Sequence, residues 1–438
     1  MMAGLEESIR NARSAALRLA ATDTRTKDAA LIAMADALDR ERISVLNANR
    51  EDVREAERAG FQPSLIKRLK VDDEKIDGMV AGLRDVAGLA DPVGDTAYSL
   101  RLDDGLMLYQ IKCPIGMLGV IFESRPDVVP QILSLCLKSG NGVAFKGGSE
   151  ARRSNKALFE VLTNAAASAG IPRETFVLME TREDISSILG LHQYIDLLIP
   201  RGSNQFVRFI QDNTKIPVLG HAAGICHVYV DDDADIDLAL KVALDSKVQY
   251  PAVCNAVETL LVNSKIADRF LPAMAKLYSD NNVEIRADGE SKRLIPRDIK
   301  TVDASDEDWD TEYNDLVISV KVVKSIDEAV GFINSHGSHH TDAIVTENEG
   351  KQHMFVRSVD SADVFVNVST RFADGYRFGK GAEVGISTNK IHSRGPVGME
   401  GLMIYKYVLV GKGHVVKDYV GKDAKKFLHK PTDEEYGK

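Results

Sequence analysis

Residues 117–147, MLGVIFESRPDVVPQILSLCLKSGNGVAFKG, carry the pattern that decides the fold. MLGVIFES is a short apolar run, VVPQILSLCLKSG repeats apolar residues at helical spacing up to Gly140, and GVAFKG is apolar again. Strand, helix, strand at this spacing is the unit of a parallel sheet covered on both faces. The alternation continues downstream. EARRSNKALFEVLTNAAASAG (150–170) reads as an amphipathic helix and TFVLME (175–180) as a strand; REDISSILGL (182–191) is helical, YIDLLIP (194–200) extended, and RGSNQFVRFIQDN (201–213) helical. The series predicts an α/β, Rossmann-type dinucleotide-binding architecture.

Outward from this block, residues 5–91 read as helices throughout, with apolar positions recurring at three and four. YSLRLDDGLMLYQIKCPIG (98–116) reads as a hairpin turning at Asp104-Gly105, and it stands outside any alternating unit, as a segment that pairs with another subunit would. A second α/β stretch begins near residue 250, with VETLLV (257–262), DLVISVKVV (315–323), DAIVT (342–346) and ADVFVNV (362–368) as strands and SIDEAVGFINSHG (325–337) as a helix. A glycine-rich segment (377–401) leads to LMIYKYVLVGKGHVV (402–416), again extended, and the final KPTDEEYGK reads as disordered.

The chain has 438 residues, 44% hydrophobic and 27% charged, enough for two or three domains with real cores. Its net charge of −10 offers no basic surface for a phosphate backbone, so no nucleic-acid partner is expected. The Ala-rich, mixed-charge N-terminus is unlike a secretory signal and no apolar run reaches the ~18 residues of a membrane span, so no membrane association and a cytoplasmic protein are expected. Cys113, Cys136, Cys226 and Cys254 lack CxxC spacing and are expected to be free thiols. No metal is expected either: the histidine-rich SHGSHHTD (335–342) has no cysteine or carboxylate pair at ligand spacing.

Three places can carry chemistry. In GVAFKGGSEARRSN (142–155) a strand ends at Lys146, Gly147 and Gly148 follow, and Ser149 is placed to cap the next helix, so a cation and backbone N–H groups converge on a site for an anion. A surface lysine beside an ordinary loop is the bland alternative. IPRGSNQF repeats the arrangement with Gly202 and Ser203, and two such turns in one sheet favour a dinucleotide over a lone phosphate. Cys254, in YPAVCNAVETLL, stands where the first sheet gives way to the second α/β region, a better position for a nucleophile than Cys136 inside its helix. Packing is the ordinary role of a free cysteine and is kept for Cys113, Cys136 and Cys226.

The order of these features resembles the aldehyde dehydrogenase superfamily. Within it, ESRPDVVPQ, YPAVCNAVETLL, HGSHHTD and STRFADGYRFGKGAEVGISTNKIHSRGPVG resemble the glutamate-5-semialdehyde dehydrogenases, or gamma-glutamyl phosphate reductases, along essentially the whole chain. The resemblance implies three parts: a dinucleotide-binding domain (1–97 and 115–249), a catalytic domain (250–401) and a small β oligomerisation element (98–114 and 402–438). It implies NADPH as cofactor and a small-molecule substrate, glutamyl 5-phosphate. By the same resemblance Cys254 falls on the nucleophile, Lys146 on the lysine holding the adenosine ribose, and Glu312 on the glutamate positioning the nicotinamide ribose. Arg125 falls on the oxyanion donor, and Ser369, Thr370 and Arg371 on the substrate-anchoring loop. Val218 stands where hydrolytic members carry the glutamate that activates water, which fits a reductase whose thioester must survive. An aldehyde-oxidising dehydrogenase is the rival reading, and a regulatory dinucleotide-binding protein with an inert thiol a second. His340 reads as a loop residue ordering the turn before DAIVT. The residues leave open NADPH against NADH, with Arg152 and Arg153 offered to a 2′-phosphate, homodimer against homotetramer, and docking with glutamate 5-kinase.

Overall fold

The computed structural model describes residues 2–123, 125–221 and 223–437. The chain opens with helices Met2–Ala20, Thr24–Arg40, Arg42–Arg58, Pro63–Leu69 and Asp73–Gly88. Aspartates set two of their starts: Asp23 accepts from Thr26 N–H and Asp72 from Lys75 N–H, satisfying donors the helix itself cannot. A hairpin follows, β1 (Thr96–Asp103) and β2 (Leu106–Pro114). Next come β3 (Met117–Phe122), β4 (Gly142–Lys146), β5 (Phe176–Leu178) and β6 (Leu197–Arg201), which form a parallel sheet in the order β5-β4-β3-β6. Every residue of β3 and β4 is buried, as expected of central strands with helices on both faces. The lead-in helices supply much of this cover: Leu31, Met34 and Leu38 share one core with Val120, Ile132 and Leu158. The fully buried Lys138 ties the layers together by pairing with Asp28 and donating to the Ala87 carbonyl at 2.9 Å. Beyond β6, Leu198 and Val218 form a parallel bridge, so the Val218 segment lies along the sheet edge.

The second sheet has seven parallel strands: β7 (Cys226–Val230), β8 (Val257–Asn263), β9 (Glu284–Ala287), β10 (Thr301–Asp303), β11 (Val317–Val323), β12 (Thr341–Val345) and β13 (Asp363–Val366), in the order β10-β9-β11-β8-β7-β12-β13. The expected boundary at 249/250 does not match this hydrogen bonding. β7 lies between β8 and β12, so the chain enters the second sheet before residue 226. An apolar run such as CHVYV shows that a strand is buried but not which sheet buries it. The chain also returns earlier than expected: Val384, Val397, Met399 and Leu402 pack in the core of the first sheet, around the short hairpin β14 (Gly385–Ser387) and β15 (Gly395–Val397). The two sheets therefore meet at chain crossings near 220–226 and 367–384.

The strand β16 (Met403–Val410) pairs antiparallel with β2 along its whole length, and β17 (Lys430–Thr432) pairs with β1, giving the order β16-β2-β1-β17. The tail expected to be disordered is thus held in place. Ser99 Oγ donates to the Thr432 carbonyl at 2.7 Å, and the Tyr436 ring lies 5.5 Å from Tyr109. Its polar composition hid short pairing contacts that are not apolar. Among the described residues, no helix is long and apolar enough to cross a membrane.

Candidate active site

Cys254 lies in the loop between helix Ile236–Val248 and β8, at the crossing of the two sheets. The loop is stapled at its base by Lys247, at the end of that helix, and Glu258, on β8, whose charged atoms are 2.6 Å apart and fully buried. Burial pushes Glu258 up and Lys247 down, each toward its neutral form, and the contact between them opposes both shifts. From the other side Gly224 presses its backbone on the thiol-bearing residue: a Cβ there would stand 2.0 Å from the Cys254 carbonyl oxygen and 2.4 Å from its Cα. Only glycine permits that approach. Cys226 Sγ donates to the same carbonyl at 3.1 Å, and Asn255 Nδ2 donates to the Ala373 carbonyl at 2.7 Å. Packing is thus only part of the role of Cys226; its thiol, kept protonated by burial, fixes the loop.

The charges around the sulfur come from separate segments. Arg201 and Arg371 both lie within electrostatic reach of the Cys254 sulfur. Burial and the neighbouring Arg125 push the Arg201 guanidinium down, against Glu383, Asp127 and Cys254, and its Nη1 is buried with no partner among the described residues. Burial and Arg377 do the same to Arg371, whose Nε donates to Gln249 Oε1 at 2.9 Å. Arg125, expected at the oxyanion, is half-exposed and pairs with Asp127 at 2.8 Å; burial works against its charge, but Asp127 outweighs it and holds it in the charged form. Ser369 is turned inward, accepting from Ser246 Oγ at 3.2 Å and from Arg371 N–H at 3.3 Å, while Thr370 Oγ1 is buried with no partner. Of the expected substrate loop, Arg371 is the member whose charge reaches the thiol.

Two histidines complete the pocket. One ligand atom each of His221, Cys254 and His340 lie within 4.8 Å of one another, and the two rings meet edge to face with centroids 4.9 Å apart. His340 is therefore more than a turn residue. It is fully buried, with Nδ1 2.8 Å from Thr341 Oγ1 and Nε2 without a partner. His339, at φ +60°, bends the chain just before it. His221 Nδ1 lies 2.8 Å from the Ile386 carbonyl, and burial pushes its imidazole toward the neutral form.

The cofactor turns are built differently from the expectation. Ser149 does not cap the long helix but opens a 3₁₀ turn, Ser149–Ala151, and the helix begins at Arg152. Its first N–H groups are taken by Asp52 of the lead-in, which accepts from Arg153 N at 3.3 Å, Ser154 N at 2.8 Å and Ser154 Oγ at 2.7 Å. The anion at this helix N-terminus is a protein carboxylate. Arg153 is held by Glu51, Asp52 and Glu55, whereas Arg152 pairs with Glu180 at 3.5 Å. At the second turn, Ser203 N–H donates to Glu123 at 3.2 Å, and Glu312 accepts from Asn204 Nδ2 at 3.2 Å, joining the loop after β10 to the turn after β6. Asp308 anchors that loop by accepting from Ser305 N, Arg286 and Tyr313, which hold its carboxyl down at about 2 despite its burial.

These surroundings fit a dinucleotide. Lys146 closes β4 nearly buried; a Cβ at Gly147 would fall 2.0 Å from Asn155 Nδ2 and one at Gly202 2.9 Å from Glu123, so both turns present bare backbone. The unpartnered Arg201 Nη1 precedes Gly202 directly. Arg201, His221, Gly224 and Glu383 have no role that their sequence context assigns. Their signal is their meeting at the crossing, which linear spacing does not carry.

A model of the aldehyde dehydrogenase family matches residues 3–293. The chain is 59% identical over 436 residues to the gamma-glutamyl phosphate reductase of Methanosarcina mazei, with 98% of each covered. The crystal structure of the gamma-glutamyl phosphate reductase of Thermotoga maritima matches with a TM-score of 0.91 at 40% identity, over 94% of this chain and 99% of that one. The glyceraldehyde-3-phosphate dehydrogenase of Methanocaldococcus jannaschii, solved with NADP, shares the fold with a TM-score of 0.67 at 16% identity, over 94% and 95%.

Proposed function

The chain belongs to the aldehyde dehydrogenase family and, within it, to the gamma-glutamyl phosphate reductases, and we propose that it reduces L-glutamyl 5-phosphate to L-glutamate 5-semialdehyde in proline biosynthesis, releasing phosphate through a thioester on Cys254. The observation that carries the mechanism is the thiol loop itself, clamped by Gly224, Cys226 and the Lys247–Glu258 staple and facing two guanidiniums. Cys254 Sγ attacks the γ-carbonyl and phosphate leaves, a good leaving group from an acyl carbon. The charge that collects on the carbonyl oxygen falls in the field of Arg201 and Arg371, low-dielectric surroundings where fixed cations act strongly. Arg371 anchors the substrate's α-carboxylate. Lys146, the 202–203 turn and Glu312 hold the dinucleotide, which when bound supplies the hydride that reduces the thioester. Collapse of the resulting hemithioacetal returns Cys254 as thiolate and frees the aldehyde.

Val218 lies along β6 and brings no carboxylate to the thioester. Glu312 and Glu383 act electrostatically on the neighbouring His221, and each accepts a hydrogen bond, from Asn204 and from Gly375 N–H. The missing carboxylate at position 218 favours the acyl-phosphate reaction over aldehyde oxidation to an acid. NADPH is the proposed form of the cofactor, with Arg152 as the partner of its 2′-phosphate: Arg152 is 65% exposed and only loosely paired, whereas Arg153 is clamped by three carboxylates. The free edge of β16 exposes Ile404, Tyr405, Tyr407 and Leu409, and we assign this sheet to a closed homo-oligomer, dimer or tetramer.

The test runs the reaction in reverse. NADP reduction by glutamate 5-semialdehyde is expected to require inorganic phosphate and to fall by ~10³-fold or more in Cys254→Ser. Steady turnover without phosphate would assign the chain to the aldehyde-oxidising reading instead.

A further inference from the structure

The thiol loop brings together ligands that the chain keeps far apart. Cys254, His221 and His340 come from three segments, and their sulfur and nitrogen atoms all lie within 4.8 Å of one another. In a tetrahedral zinc site, bonds of about 2.3 Å to sulfur and 2.0 Å to nitrogen set such atoms roughly 3.5 Å apart, so closing this triad takes side-chain movements of about 1 Å. Each imidazole already has a partner on one nitrogen. His221 Nδ1 is bound to the Ile386 carbonyl at 2.8 Å, the arrangement that orients a ligating histidine and leaves Nε2 as a lone pair. His340 Nδ1 is bound to Thr341 Oγ1 at 2.8 Å, and its Nε2 is buried with no partner among the described residues. His340 thus combines a buried nitrogen that has no partner among the described residues with a ring nitrogen within 4.8 Å of the Cys254 sulfur and of a His221 nitrogen, as a residue awaiting a ligand would.

We propose that Cys254, His221 and His340 form a three-ligand site for a borderline-soft divalent cation of the zinc class, and that filling it withdraws the nucleophile from catalysis. One thiolate and two imidazoles select zinc, cadmium or cobalt over magnesium and calcium, which want oxygen. Coordination forms a sulfur–metal bond and releases the thiol proton to solvent. Arg201 and Arg371 oppose a second positive charge here, so the ion is a reversible occupant that competes with the acyl phosphate. The inhibitory half rests on Cys254 being the nucleophile; the binding half does not.

The experiment adds cobalt(II), as a spectroscopic stand-in for zinc, to the metal-free full-length protein. One equivalent is expected to give a sulfur-to-cobalt charge-transfer band that disappears in Cys254→Ser and needs at least ~10-fold more metal in His340→Ala or His221→Ala. Zinc, but not magnesium, is expected to slow iodoacetamide alkylation of Cys254 in the wild-type protein by at least ~10-fold, a readout that depends on no variant folding. Absence of the band in the wild type, or its persistence in Cys254→Ser, would overturn the site. Cys254→Ser that still reduces γ-glutamyl phosphate would overturn the nucleophile assignment alone, since the wild-type band is read without turnover.

Discussion

At the turn after β4 the donors that open the helix are taken by Asp52, and at the turn after β6 Ser203 N–H is taken by Glu123. Around Cys254, Arg201 Nη1, His340 Nε2 and Thr370 Oγ1 are buried and unpartnered among the described residues, against Asn155 Oδ1 beside the first turn. An unsatisfied buried polar group costs ~1–3 kcal/mol, a cost a fold tolerates where a ligand completes the bond. Under the proposed function the glycine-rich turns act by shape, offering bare backbone and Lys146 to the cofactor. The thiol pocket acts by chemistry, holding donors and lone pairs in readiness. A turn that looks like an anion site can already contain its anion.

Substitutions in each region sharpen this contrast. The largest effect is expected from Glu258→Met, which leaves Lys247 buried without its partner and costs about 3–5 kcal/mol, measured by denaturant unfolding. A cost below 1 kcal/mol would mean the staple does not hold the thiol loop. Gly224→Ala is expected to lower kcat by ~10²-fold with cofactor KM unchanged, because the new methyl group displaces the Cys254 backbone. Normal kcat would show that the loop tolerates the shift. Arg371→Lys should raise the substrate KM by ~10-fold, since an ammonium cannot reproduce the guanidinium's fork; an effect confined to stability would return Arg371 to a purely structural role. The smallest effect, about 1 kcal/mol of stability, is expected from Asp52→Asn, and here the diagnostic is what does not change: cofactor KM should stay within about twofold. A large rise in that KM would mean the helix N-terminus does serve the dinucleotide.

The alternation around residues 117–213 was legible because buried parallel strands and amphipathic helices write their periods directly into the sequence. Cys254 and Lys146 stand out as candidates by their place in the sequence pattern, and Glu312 only through the resemblance. The sheet membership of β7 was not, since an apolar run is compatible with either sheet, nor was the return of Val384 and Val397 to the first core. The pairing of Asp52 with a helix about a hundred residues later has no linear trace either, because both partners read as ordinary surface groups. The histidine tract shows the same limit. Spacing within SHGSHHTD pairs no ligands, whereas the fold brings His340 beside His221 and Cys254.

The most direct measurement mixes the full-length protein with glutamate 5-semialdehyde and NADP in phosphate-free buffer, follows the first turnover, and maps the acylated residue by mass spectrometry. The account predicts a burst of one NADPH per subunit, a glutamyl adduct on the peptide bearing Cys254, and its discharge on adding inorganic phosphate. Continuous turnover with no burst, or an adduct on any residue other than Cys254, would contradict it.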